Sequence, residues 1–248
     1  MSEDCGTDFE WWKAYESPKL SRRPRSVSSS ALAQPGDSFL IVTEGTVTEP
    51  VYFELIRREL ELSVVRIKVQ PGKHSDPSQV IETAAREAKV QVSKARTGKL
   101  RMDEPEKFDH VFAVIYTDVA VQRSDWNKVR KLAADSKVLL APSTPCFEFW
   151  LLLHRDFTTK PLSDGETAKK ELKQSLGREY STSERVTRAA LASLLPNWPQ
   201  AVMNAEQVTR HHEQVATAPP ANPSTDVGRL VRALNDSAPA HMRKLRGR

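Results

Sequence analysis

Cysteine is scarce in this chain. Its 248 residues carry only Cys5 and Cys146, too few for a disulfide framework or for a zinc site made of cysteines alone. A reducing compartment fits that usage. Long hydrophobic runs are missing as well. None approaches the roughly 18–20 apolar residues of a membrane span, so no membrane segment is expected. The N-terminus places acids and tryptophans where a secretory signal needs a basic start and an apolar stretch. Together these absences predict a cytoplasmic chain. Motif absences narrow the chemistry. Gly45-Thr46-Val47-Thr48 lacks the Gly-Lys-Ser/Thr ending of a phosphate-cradling loop. There is no Gly-x-Gly-x-x-Gly fingerprint and no Gly-x-Ser-x-Gly nucleophile elbow.

What is present supports a folded body. Hydrophobic residues make up 39% of the chain, enough for a real core. The net charge is +5, from 37 Lys and Arg against 32 Asp and Glu. Residues 1–36 hold five bases and five acids, while Arg243, Lys244, Arg246 and Arg248 crowd the last eight positions. The body is therefore close to neutral, and the basic ends either add phosphate affinity or simply aid solubility.

Residues 1–36 read as an N-terminal extension, with Trp11, Trp12 and a basic patch around Arg22, Arg23 and Arg25. From residue 37 short apolar runs alternate with helical stretches. Strands are predicted at Phe39–Val42, Val64–Val69, His110–Tyr116 and Val138–Leu140. Helices are predicted from Thr48 as cap to about Leu62, from Ser78 along Ile81, Ala84, Ala85, Ala88 and Val92, from Ser124 or Asp125 to about Ala134, and over Phe147–His154, which is apolar all round. Alternation of this kind predicts a parallel, right-handed βαβ sheet with helices on both faces. After Arg155 only helices are predicted: Thr167–Leu176, Glu184–Leu195, Gln200–Val215 and, capped by Thr225, Asp226–Leu234. The expected organisation is an extension (1–36), an α/β domain (37–160), a helical C-terminal lobe (161–236) and a basic tail (237–248).

Ligands of open α/β sheets gather at the carboxyl ends of the strands. The first predicted strand runs into Glu44-Gly45 and the third into Asp118. If the two strands are neighbours, both carboxylates face one crevice, where two hard oxygen ligands suit Mg²⁺ or Mn²⁺. Gly45 would let the backbone approach a ligand closely. Helix capping or ordinary solvated polarity explains the same acids without a metal. Cys146 and His154 lie about two helical turns apart, too far to act as a thiolate–imidazole pair, and Cys146 reads as core.

Several blocks resemble one family. Phe39-Leu40-Ile41-Val42-Thr43-Glu44-Gly45 with Thr48-Glu49-Pro50 and Tyr52-Phe53 looks like the opening of RloB-like proteins. Ser143 to His154, Ala201–Ala205 with Asn204, and Asn222 to Val227 resemble its later landmarks, so the likeness covers roughly residues 37 to 235. The resemblance implies a Toprim-like Rossmannoid fold and a Mg²⁺-dependent nuclease linked to bacterial antiphage defence, acting on DNA or RNA, tRNA included. It further implies that Glu44 matches the glutamate after the first strand and Asp118 the first aspartate of an Asp-x-Asp pair after the third. Position 120 should carry the second aspartate, and Ala120 stands there. The site would then lack one of three carboxylates and lose metal affinity and rate. An alanine is also what a deliberate Asp→Ala inactivation leaves, and the intact remainder of the pattern favours that origin.

Glu49, Glu148, His154 and Lys73 form a second tier, the acids as further ligands or bases and the cations as phosphate contacts. Each also has a plain structural reading: Glu148 in its apolar run needs a partner to be ionised at all. Against the nuclease stand two other classes. One is a nucleic-acid-binding or sensing subunit whose defence-system partner protein does the chemistry. The other is a small-nucleotide binder. A homodimer is expected only on symmetry base rates.

Overall fold

The computed structural model describes residues 36–63, 65–69, 76–117, 123–177, 180–181, 183–218 and 220–245. The chain divides into Met1–Gln34 and a compact unit, Pro35–Arg248, to which the described residues belong. Asp118, Ala120, Lys73 and the tryptophans of the N-terminal extension lie outside them.

Five strands form one sheet: β1 (Phe39–Thr43), β2 (Val65–Val69), β3 (His110–Tyr116), β4 (Leu139–Thr144) and β5 (Ser224–Thr225). Their order is β2-β1-β3-β4-β5. The first four run parallel, and β5 pairs antiparallel with β4. The fold is α/β with helices on both faces, as the alternation predicts.

β1 is fully buried because each face of the sheet is covered, which is why it reads as an unbroken apolar run. Phe39 and Ile41, with Phe112 and Val114 of β3, point into one core. Leu40 and Val42, with Ala113 and Ile115, point into the other. Helices α2 (Pro77–Arg96) and α3 (Arg123–Ser136) cover the second face through Val80, Ile81, Ala84, Trp126 and Ala133. The first face is covered by α1 (Thr48–Glu59), α4 (Phe147–Leu152), α5 (Gly165–Leu176), α6 (Glu184–Leu194), α7 (Trp198–Gln214) and α8 (Val227–Ser237). The C-terminal helices thus share the sheet's own core: Leu172, Leu191, Trp198, Val202 and Leu230 pack in one cluster with Phe39 and Ile41.

Several boundaries differ from the sequence reading, each for a local reason. Thr48 is the first residue of α1 rather than its cap, and its hydroxyl lies 3.0 Å from that of Tyr180. α2 starts at Pro77 rather than Ser78 and is capped by Asp76, whose Oδ1 accepts the Ser78 amide at 3.1 Å. Buried Gln91 occupies the inner stripe of α2 and donates to the Pro105 carbonyl, a polar inner position that an apolar periodicity does not count. Ser124 and Asp125 sit inside the first turn of α3.

β4 runs on through Pro142, which lacks the amide a ladder needs and so reads as a breaker; its carbonyl accepts the Asp226 amide at 2.8 Å. The helices-only expectation after Arg155 is corrected by β5. Thr225 belongs to that strand, and its Oγ1 still accepts the Val227 amide at 3.2 Å where α8 begins.

The last described residues are fastened. Asn235, wholly buried in α8, accepts the Lys244 and Leu245 amides on Oδ1 at 2.9 and 3.2 Å and donates to the Leu245 carbonyl at 3.0 Å. The described part of the basic tail is therefore bound to the body. No helix among the described residues is long and apolar enough to cross a membrane.

Candidate acidic site at the carboxyl ends of the strands

β1 and β3 are hydrogen-bonded neighbours, with Thr43 opposite Val114. Their carboxyl ends leave the sheet side by side. The ladder continues one step further, since the Glu44 amide donates to the Val114 carbonyl at 3.0 Å. The Glu44 side chain then folds back, and its Oε2 accepts the Tyr116 amide at 3.1 Å. Glu44 is thus held at both its backbone and its carboxylate. It is 6% exposed. Burial pushes its carboxyl up to about 7, although the amide and phenol of Tyr116 pull the other way.

The turn after β1 is tight. Thr43 Oγ1 donates to the Gly45 carbonyl at 2.9 Å. A Cβ at Gly45 would overlap the Glu49 carboxylate. The sequence reading leaves the space at Gly45 to an incoming ligand; the chain's own Glu49 fills it. Glu49 stands in the first turn of α1 and is as buried as Glu44. Its carboxyl is also pushed up to about 7, first by burial and further by the negative charges of Glu148 and Glu44. Glu148, in the first turn of α4, is 7% exposed and accepts the Tyr180 hydroxyl at 2.9 Å. Tyr180 therefore links Glu148 to Thr48, bridging α4 to α1. Burial and the adjacent Glu148 push its phenol upward.

Glu49 thus lies within reach of the charges of both Glu44, from the turn after β1, and Glu148, from α4. Among the described residues, no group of three or more His, Cys, Asp or Glu is arranged to hold a metal ion. The described part of β3's end stops at Thr117, whose amide donates to the Ser143 carbonyl at 2.9 Å and whose hydroxyl pairs with that of Thr144.

His154, a second-tier candidate whose other reading is structural, is a core residue. It is 1% exposed, with Nε2 3.1 Å from the Tyr52 hydroxyl and Nδ1 3.1 Å from the Trp150 carbonyl. Burial lowers it to about 4, so it stays neutral at ordinary pH. Cys146 is buried, as expected, and its Sγ lies 3.8 Å from the Gly165 carbonyl at the start of α5. Burial and the Glu148 charge raise its thiol. A surface depression lined by Glu82, Arg86, Lys89 and Ser136 lies on α2 and α3 and includes none of the site's carboxylates.

Tyr116, Tyr180 and Lys169 belong to this neighbourhood and are missed by sequence reasoning. Tyr116 ends a predicted strand beside a candidate acid, a signal that was there to find. Tyr180 and Lys169 arrive from residues remote in the chain, and no local pattern marks them.

The blocks that carry the family likeness also have structural roles. Asn204 of α7 donates to the Leu153 carbonyl at 2.8 Å and fastens the end of α4. Asn222 exchanges two hydrogen bonds with the Leu162 backbone, at 2.7 and 3.3 Å. No curated protein and no solved structure matches the chain. The family model described as RloB-like protein matches residues 39–234, from the first strand to the last helix, and the chain belongs to the RloB-like family.

Proposed function

We propose that the chain is a Toprim-type nuclease of bacterial antiphage defence that uses Mg²⁺ or Mn²⁺ to cut the phosphodiester backbone of DNA or RNA, tRNA included, and that Ala120 weakens it. The observation that carries this reading is the pairing of β1 with β3, which sends Glu44 and the segment leading to Asp118 out of the same sheet edge. Glu44 and Asp118 would hold the ion, with Glu49 and Glu148 behind them. The donor chemistry fits: hard carboxylate oxygens, buried close enough to repel one another, gain from a divalent cation. When bound, such an ion polarises a phosphoryl oxygen and stabilises the charge that develops on it.

The chain's own contribution is positional. The Tyr116 amide fixes the Glu44 carboxylate, and Tyr180 fixes Glu148. Without an ion, burial raises the Glu44 and Glu49 carboxyls to about 7; Glu44 would be drawn back down by a bound divalent cation and held ionised as a ligand.

The test restores the missing acid. Ala120→Asp is expected to cleave DNA, RNA or tRNA when Mg²⁺ is supplied, and adding Glu44→Gln is expected to abolish that cleavage. Binding without cleavage in the restored variant would favour a nucleic-acid-binding or sensing subunit instead.

A further inference from the structure

An acidic pocket repels the polyanion it is meant to cut, so a nucleic-acid site of this kind needs a cation besides its metal. Among the described residues, Lys169 is placed to supply it. Gly165, one turn before it on α5, packs directly on Cys146: a Cβ there would lie 3.6 Å from Cys146 Cβ and Sγ. Residues four apart share a helix face, so Lys169 stands on the flank of α5 that faces the junction of β4 and α4. Ala168 and Leu172 bury the adjacent flank and set the helix's rotation.

The charge of Lys169 acts on Glu148 and Cys146 and, more weakly, on Tyr116 at the end of β3. Tyr116 is itself 45% exposed, so solvent reaches its ring at the end of β3. The ammonium now pairs with Glu166 Oε1 at 2.7 Å, but the Lys169 and Glu166 side chains are 47% and 83% exposed. An exposed pair within one helix is weak and exchanges readily for a stronger anion.

We propose that Lys169 is the phosphate-holding side chain of this site, reaching from α5 to a nucleic-acid strand that crosses the carboxyl ends of β1 and β3. The inference rests on the nuclease reading and adds to it a contact from the helical part of the chain.

Binding tests it without any need for turnover. A fluorescent single-stranded RNA oligonucleotide and its DNA counterpart are titrated with the full chain in Ca²⁺ buffer at several salt concentrations. Lys169→Gln is expected to weaken binding severalfold and to reduce the slope of log K against log salt by about 0.7, the loss of one phosphate contact on a single strand. Lys169→Arg should restore the slope. Lys170→Gln, at an exposed neighbour on the same helix, should leave it unchanged. Melting curves show that each variant is folded. A slope equal to the parent's in Lys169→Gln overturns the proposal, as does an equal loss in Lys170→Gln; in either case the nuclease reading stands. A parent chain that binds neither oligonucleotide overturns the inference, while the nuclease reading is decided separately by the cleavage test of Ala120→Asp.

Discussion

Glu44 and Glu49 keep their protons to about pH 7 chiefly because the fold buries both carboxyls, with the charge of Asp76 adding to the effect at Glu44 and those of Glu148 and Glu44 at Glu49. The stability consequence has a definite sign. A carboxyl that binds its proton more tightly folded than unfolded takes up protons on folding. Its contribution is therefore favourable below about 4.5, the ordinary value, and is lost as pH climbs to about 7. Glu49→Gln removes one of these charges at the position most affected by its neighbours. At pH 8 it is expected to stabilise the chain by roughly 1–3 kcal/mol, and at pH 4 by close to nothing. Urea unfolding of both proteins at the two pH values checks this. An equal effect at both would show that packing, not charge, decides. Added Mg²⁺ should shrink the difference if the cation neutralises the same carboxylates.

At the scale of elements, the polar side chains that fasten one segment to another matter more than any helix propensity. Asn235 is the clearest example, since its amide satisfies two backbone donors and one backbone acceptor of the final segment. Asn235→Ala leaves those groups without partners and is expected to cost about 1–3 kcal/mol. It should also release the segment around Lys244, read as faster tryptic cleavage there while the body stays folded.

The same scale shows what the sequence could and could not reveal. β1 and β3 were legible because burial on both faces leaves a bare apolar run. The end of β4 was hidden by Pro142, and β5 by its two-residue length, which holds no period at all. Glu44 was legible as a site residue because it directly follows such a strand. Tyr180 was not, because its role depends on which distant helix packs beside it.

For the molecule as a whole, the decisive fact is that one core serves both the sheet and the C-terminal helices. Phe39, Ile41 and Phe112 are covered by side chains from beyond residue 160, among them Leu191, Trp198 and Leu230. A chain ending after Arg155 would keep only α1 and α4 on that face and expose the rest of it. It is expected to show no cooperative melting transition and to aggregate. A soluble, cooperatively melting fragment would mean that the α/β part stands alone.

The shared core also bears on the order in which the acidic site comes together during synthesis. Glu44 leaves the ribosome early, while Tyr180, which links Glu148 to Thr48, comes much later. A nascent chain that has exposed only its first half carries Glu44 and Glu49 but neither Glu148, nor the clamp, nor Lys169. Any hydrolytic competence would then have to wait until the far end of the polypeptide has been made and has docked, so an incomplete translation product would be inert.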